Sequence, residues 1–134
     1  MPNKNYYIDS TTSSVNPDKT SQALPVSIQV FNLLDDNDVV LSSREILNNK
    51  AGVYCFINTV NGKQYIGSAK ILYLRLIKHL SNKKSNSALQ NAISKYRLDK
   101  FNFGVYEYFI YDSIFVSHKA LTELGTSYIE KYLF

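Results

Sequence analysis

The stretch "GVYCFINTVNGKQYIGSA", residues 52–69, decides the fold. It holds two β-rich runs, "GVYCFINT" and "KQYIGSA", joined through residues 58–62 with Asn61 and Gly62 as the turn signal. That pattern predicts a β-hairpin. An even loop puts Tyr54 and Tyr65 on one sheet face. A four-residue loop at 58–61 sets them directly opposite, and an odd loop needs a bulge to keep them together. Gly52 and Gly67 sit inside the strands, where a missing side chain often marks close approach of another backbone or a ligand.

Downstream, "KILYLRLIKHL" (70–80) is apolar over most of its circumference and predicts a largely buried helix. Ser87 and Gln90 have capping-box spacing, and Leu89, Ala92, Ile93 and Tyr96 follow at i, i+3, i+4, i+7, the stripe of an amphipathic helix. "KFNFGVYEYFI" alternates Phe101, Phe103 and Val105 and predicts a strand. Leu121, Leu124, Tyr128 and Tyr132 place a stripe on a last helix starting near Ser117. The order is β-β-α-α-β-α, an α+β fold with a small antiparallel-containing sheet flanked by helices. Upstream, residues 1–25 form a polar tail without periodicity. "VSIQVFNLL" (26–34) reads as a short strand, and Ser42 with Glu45 reads as a capping box opening a short helix near 42–49. The expected division is a polar N-terminal extension, 1–50, and one domain, 51–134.

The chain has 134 residues, formal charge +4, and 45% hydrophobic residues including Tyr 11 and Phe 7, enough for a real core. A single cysteine, Cys55, excludes a disulfide framework and a cysteine-based zinc site. His79 and His118 are too few for a His-rich metal centre. No apolar run approaches the roughly 18 to 20 residues of a membrane span, so a membrane is not an expected partner. The start lacks the layout of a signal peptide. It also lacks that of an import presequence, since no arginine precedes Arg44. Residues 1–49 carry net −3 and residues 50–134 net +7, and within 62–104 nine bases face Asp99 alone. A basic block of this kind points to a polyanion, most often nucleic acid, with a solvated lysine surface as the plain alternative. Heavy use of Asn, Lys, Ile and Tyr against scarce Arg, Ala and Gly implies AT-rich codons, a bias found in organellar genomes.

Arg75 and His79 lie four residues apart on one helix and share a face. They either mark its solvent side with Lys78 or form a phosphate clamp, the guanidinium neutralising a phosphoryl group while the imidazole moves protons. Lys63, Lys70, Lys78, Lys83, Lys84 and Lys95 make a plausible backbone-phosphate footprint with little sequence readout.

Taken in order, "Gly52-Val53-Tyr54", "Tyr65-Ile66-Gly67-Ser68-Ala69", Arg75, His79, "LQNAISKY" and "FNFGVYEY" resemble the GIY-YIG endonucleases. More narrowly, they resemble the homing endonucleases encoded in introns of fungal mitochondrial genomes. The likeness covers about residues 51–132. It implies a DNA endonuclease domain that hydrolyses phosphodiesters with one divalent metal, Mg²⁺, and no small-molecule cofactor. It further implies double-stranded DNA as partner, a monomer, and a mitochondrial location reached without import. Tyr54, Tyr65, Arg75 and His79 correspond to catalytic positions, Gly52 and Gly67 to motif glycines.

The likeness also carries departures. Where the family's last helix holds a metal-binding glutamate, the register set by Leu121, Tyr128 and Ile129 puts Gly125. Glu123 does not replace it, because two residues along a helix is about 200° around the axis. Arg97 stands where similar proteins have glycine, and Ile71 and Ile77 occupy commonly polar positions. The family's segment after the last helix is expected to be missing. Three functions follow: an impaired endonuclease, an inactive DNA-binding remnant, or an RNA- or protein-binding module on the same scaffold.

Overall fold

Alternating aromatic and branched residues build strands wherever two helical layers can cover both faces of a sheet. In the computed structural model, residues 27–81, 86–110 and 114–132 are described, without side-chain surroundings for 114–117 and 132. The elements are β1 (Gln29–Phe31), α1 (Asn37–Ser42), α2 (Arg44–Leu47), β2 (Ala51–Asn58), β3 (Gln64–Ala69), α3 (Leu72–Ser81), α4 (Ser87–Tyr96), a 3-10 turn (Leu98–Lys100), β4 (Phe101–Phe109) and α5 (Ile114–Tyr132). The strands make one antiparallel sheet in the order β1-β4-β2-β3. This is the expected α+β order for residues 51–132. No described helix is long and apolar enough to cross a membrane.

One face carries Tyr54, Phe56, Tyr65, Phe101, Phe103 and Val105 against Leu72 and Leu76 of α3 and Leu89 of α4. The other carries Val53, Cys55, Ile66 and Tyr106 against Leu124, Tyr128 and Ile129 of α5. The sheet is thus sandwiched, with α3 and α4 on one side and α5 on the other. Each large side chain so buried contributes roughly 1.5–3 kcal/mol.

The hairpin register differs from the expected one by a two-residue step. Tyr54 pairs with Gly67, and Tyr65 pairs with Phe56, so the tyrosines share a face diagonally rather than directly. The four-residue loop is 59–62, not 58–61. Asn58 and Asn61 accept from the backbone N–H groups of Val60 and Lys63, and Gly62 takes the left-handed conformation at φ 79° that closes the turn. Gly52 answers the question its position raised. A Cβ there would lie 2.3 Å from the Glu107 carbonyl oxygen, so the close neighbour is the β4 backbone. That closeness accompanies a β-bulge: Val53 pairs with Glu107 and Tyr54 with Val105, leaving Tyr106 as the extra residue.

Neither expected capping box forms. The Ser42 hydroxyl donates back to the Val39 carbonyl at 2.7 Å; the short helix expected near 42–49 is α2, which follows Ser43 without a side-chain cap, and a separate helix before it, α1, is capped by Asp36. Asn86, not Ser87, caps α4 by accepting from Leu89 N–H. Gln90 instead donates its amide to the His79 carbonyl at 2.8 Å, tying α4 to the end of α3 and satisfying one of the open carbonyls there. The last helix begins at Ile114, a turn before the expected Ser117. Residues before position 50 also contribute to the sheet and the core. β1 pairs with β4, and Leu34 and Leu47 enter the main core. Residues 1–26, expected as a tail, lie outside the described residues.

Candidate functional site

The helix α3 sorts its two polar candidates to different places. Burial of Leu72, Tyr73, Leu76 and His79 at i, i+1, i+4, i+7 sets its rotation, leaving Leu74 and Lys78 outside. His79 is therefore a core residue, only 3% exposed, and the solvent-side reading fails for it. Its Nε2 lies 2.9 Å from the Tyr54 hydroxyl. The Phe56 ring meets the imidazole edge-on, and Phe103 stacks on Tyr54. Burial first, then the positive charges of Arg75 and Lys78, push the His79 pKa down to about 4. The imidazole is neutral at physiological pH, and which ring nitrogen holds the proton decides whether the tyrosine donates or accepts. Tyr54 is fully buried and Tyr65 nearly so.

Arg75 points elsewhere. Half-buried, it donates through a guanidinium nitrogen to the Ser68 carbonyl at 3.3 Å, reaching the outer edge of β3. There a cavity of about 280 Å³ opens between β3, α3 and α5. Its lining includes Gly67, Ser68, Lys70 and Arg75 on one side and His118, Thr122, Gly125 and Thr126 on the other, but not Tyr54, Tyr65 or His79. Of the four catalytic candidates, Arg75 alone lines this cavity. Gly125 is buried, and a Cβ on it would lie 3.0 Å from both Cβ and Oγ of Ser68. The helix approaches the strand closely because the side chain is missing.

The lysines do not form one cluster. Lys70 lines the cavity beside Arg75, whereas Lys63 sits at the other end of β3, roughly 20 Å away at strand rise. Lys78 is on the exposed side of α3, and Lys95 lies 5.2 Å over its neighbour's ring, Tyr96. Lys83 and Lys84 lie outside the described residues. Missed by sequence reasoning were His118, Thr122 and Thr126. Their i, i+4, i+8 spacing along α5 was the available signal.

The donor set does not fit Mg²⁺. That ion takes hard oxygen ligands, normally with one or two carboxylates. The described lining offers hydroxyls, two cations and an imidazole, and no acid. Among the described residues no three His, Cys, Asp or Glu side chains group to hold a metal. Cys55 is no nucleophile either, because burial pushes its thiol up to about 11.

Comparison with known proteins agrees with this architecture. The family described as the GIY-YIG catalytic domain matches residues 50–133. A "Probable intron-encoded endonuclease 1" of Neurospora crassa is 55% identical over 129 residues, 96% of this chain and 41% of the relative. The chain thus spans about two-fifths of that relative's length. A solved glutamate-to-alanine mutant of the catalytic domain of intron endonuclease I-TevI superposes with a TM-score of 0.52 at 26% identity, covering 62% of this chain and 84% of the other. With its four-stranded antiparallel sheet and flanking helices, the chain belongs to the GIY-YIG family of nuclease catalytic domains.

Proposed function

We propose that the chain binds duplex DNA as the nuclease domain of an intron-homing endonuclease, with metal-dependent phosphodiester hydrolysis strongly impaired. The observation that carries this reading is Gly125, which packs against Ser68 in a cavity whose described lining contains no carboxylate.

A phosphodiester is protected by its own charge, so cleavage requires neutralisation and in-line placement of water. Arg75 is placed for the first, since its fork can take a non-bridging oxygen at the cavity mouth. In this family a divalent ion supplies Lewis-acid chemistry, and the residues here do not fit one. Tyr54 and His79 act as positioning residues. A buried neutral imidazole with pKa about 4 is a weak base, and moving the tyrosine proton onto it would leave a phenolate in the core. Their contact, 2.9 Å long, adds a polar anchor to the apolar face of α3 whose burial sets the helix rotation, and with it the direction of Arg75. The skewed residue usage, which implies AT-rich codons, and the Neurospora intron-encoded relative support origin in a mitochondrial genome.

Competition between duplex DNA and structured RNA at several salt concentrations tests the binding half. Preference for duplex DNA is expected, with Arg75→Ala lowering the salt slope by about one ion. A clear preference for RNA would favour the RNA-binding module instead.

A further inference from the structure

Two spaces meet at Lys70. One is the cavity between β3, α3 and α5, and the other is an open groove of about 670 Å³ at the end of the sheet. Asn49 and Lys50 line the groove ahead of β2, Tyr108 and Ile110 at the end of β4, and Ile71 before α3. Lys50 is held there by its own backbone. Its N–H donates to the Leu47 carbonyl at 3.3 Å, and its carbonyl accepts from the Leu72 N–H at 2.8 Å, tying it to α2 and to the first residue of α3. Its ammonium lies 5.8 Å from the centroid of the Tyr108 ring, within cation–π range. Among the described residues the Lys50 ammonium has no ion pair and the Tyr108 hydroxyl no hydrogen bond. Burial pushes the Tyr108 pKa up, so that hydroxyl keeps its proton and can donate. Beside them Ile110 is 84% exposed, a large apolar side chain left to solvent.

A placed cation, an open hydroxyl donor and an apolar shoulder match the phosphate oxygens of a nucleotide and the C–H face of its sugar. Charge complementarity favours a polyanion, since residues 50–134 carry net +7. We infer that this groove seats a sugar–phosphate segment of duplex DNA adjoining the one at the cavity, with Lys50 neutralising a phosphate, the Tyr108 hydroxyl donating to the same unit and Ile110 packing against the sugar. The role of the groove rests on the DNA-binding reading and deepens it. Its contacts go to the backbone alone, so they anchor the duplex without reading its sequence.

The test is binding of the full chain to a short mixed-sequence DNA duplex over a salt series, read by fluorescence anisotropy, with amide NMR on the same mixture. Lys50→Gln is expected to weaken binding and lower the salt slope by about one ion, and Lys50→Arg to keep the slope. Tyr108→Phe retains the ring and its packing. It is expected to weaken binding about threefold to tenfold with the slope unchanged, a loss that general electrostatics does not produce. Duplex is expected to shift the amides of Lys50, Ala51, Phe109 and Ile110. An unchanged slope in Lys50→Gln, unchanged affinity in Tyr108→Phe, or silence of these amides at saturating duplex would each overturn the inference. So would shifts of the same amides with protein concentration alone, which would give the groove to a second copy of the chain. Duplex binding with a silent groove sinks the groove and spares the DNA-binding reading, whereas no duplex binding by the wild-type chain sinks both.

Discussion

Gly125 of α5 lies against Ser68 of β3 so closely that a β-carbon on the glycine would stand 3.0 Å from two side-chain atoms of the serine. A glycine in mid-helix costs about 1 kcal/mol relative to alanine, and this contact is what the absent side chain permits. The two positions are therefore coupled. Gly125→Ala gains helix propensity but presses on Ser68, so it is expected to change stability little. In a Ser68→Gly background the same change is expected to stabilise by about 1 kcal/mol. Urea melts of the four variants check the coupling, and strict additivity would contradict it.

The same geometry bears on rescue. Gly125→Glu alone must displace Ser68 before its carboxylate can turn into the cavity. Paired with Ser68→Gly, it has room. Plasmid nicking is expected to rise in the double variant above the Gly125→Glu single variant. Equal activity in both would show that Ser68 is no obstacle.

His79 makes stability depend on pH. Its folded pKa is about 4, against 6.5 for the ordinary side chain. Because the value is lowered, the unfolded chain binds the proton more tightly, and stability falls as pH drops through the window from 6.5 to 4. The loss by pH 4 is about 3 kcal/mol, at 1.36 kcal/mol per pKa unit. Denaturant midpoints measured across that window should fall in the wild type and lie flatter in His79→Gln. Tyr54→Phe, which strips the hydroxyl from a buried ring nitrogen, is expected to cost about 1–3 kcal/mol.

Arg97 carries the backbone strain of α4's exit. It follows the helix at φ 79° and ψ 149°, a conformation glycine adopts freely and other residues at a cost of order 1–3 kcal/mol. Its ion pair with Asp99, 3.5 Å long on a side chain 80% exposed, offsets little of that. Arg97→Gly is expected to stabilise the chain by about 1 kcal/mol after the entropy glycine adds to the unfolded state. Thermal melting reads this as a higher Tm, and a lower Tm would contradict it.

Much of this was legible from local pattern. The hairpin at 52–69, the stripe of α4 and the alternation of Phe101, Phe103 and Val105 each report a periodicity that one element carries by itself. What escaped needed two elements at once. The bulge at Tyr106 depends on how β4 meets Gly52, and the Gln90 side chain left its expected cap because it reaches across to the His79 carbonyl at the end of α3. Neither the solvent side nor a phosphate clamp describes His79 in the core, because its partner, Tyr54, is 25 positions away and only the sheet brings them together. Arg97 was noticed as an odd residue in a family pattern, and its positive φ supplies the physical reason. Gly125 was noticed the same way, and its contact with Ser68 shows that a missing ligand is also a packing change.

Plasmid nicking in MgCl₂ at ordinary enzyme concentration, run beside a duplex gel shift on the same preparation, tests the central claim most directly. The expected result is a salt-sensitive shift with no nicking above buffer. Mg²⁺-dependent nicking by the wild-type chain, abolished by Arg75→Ala, would contradict it.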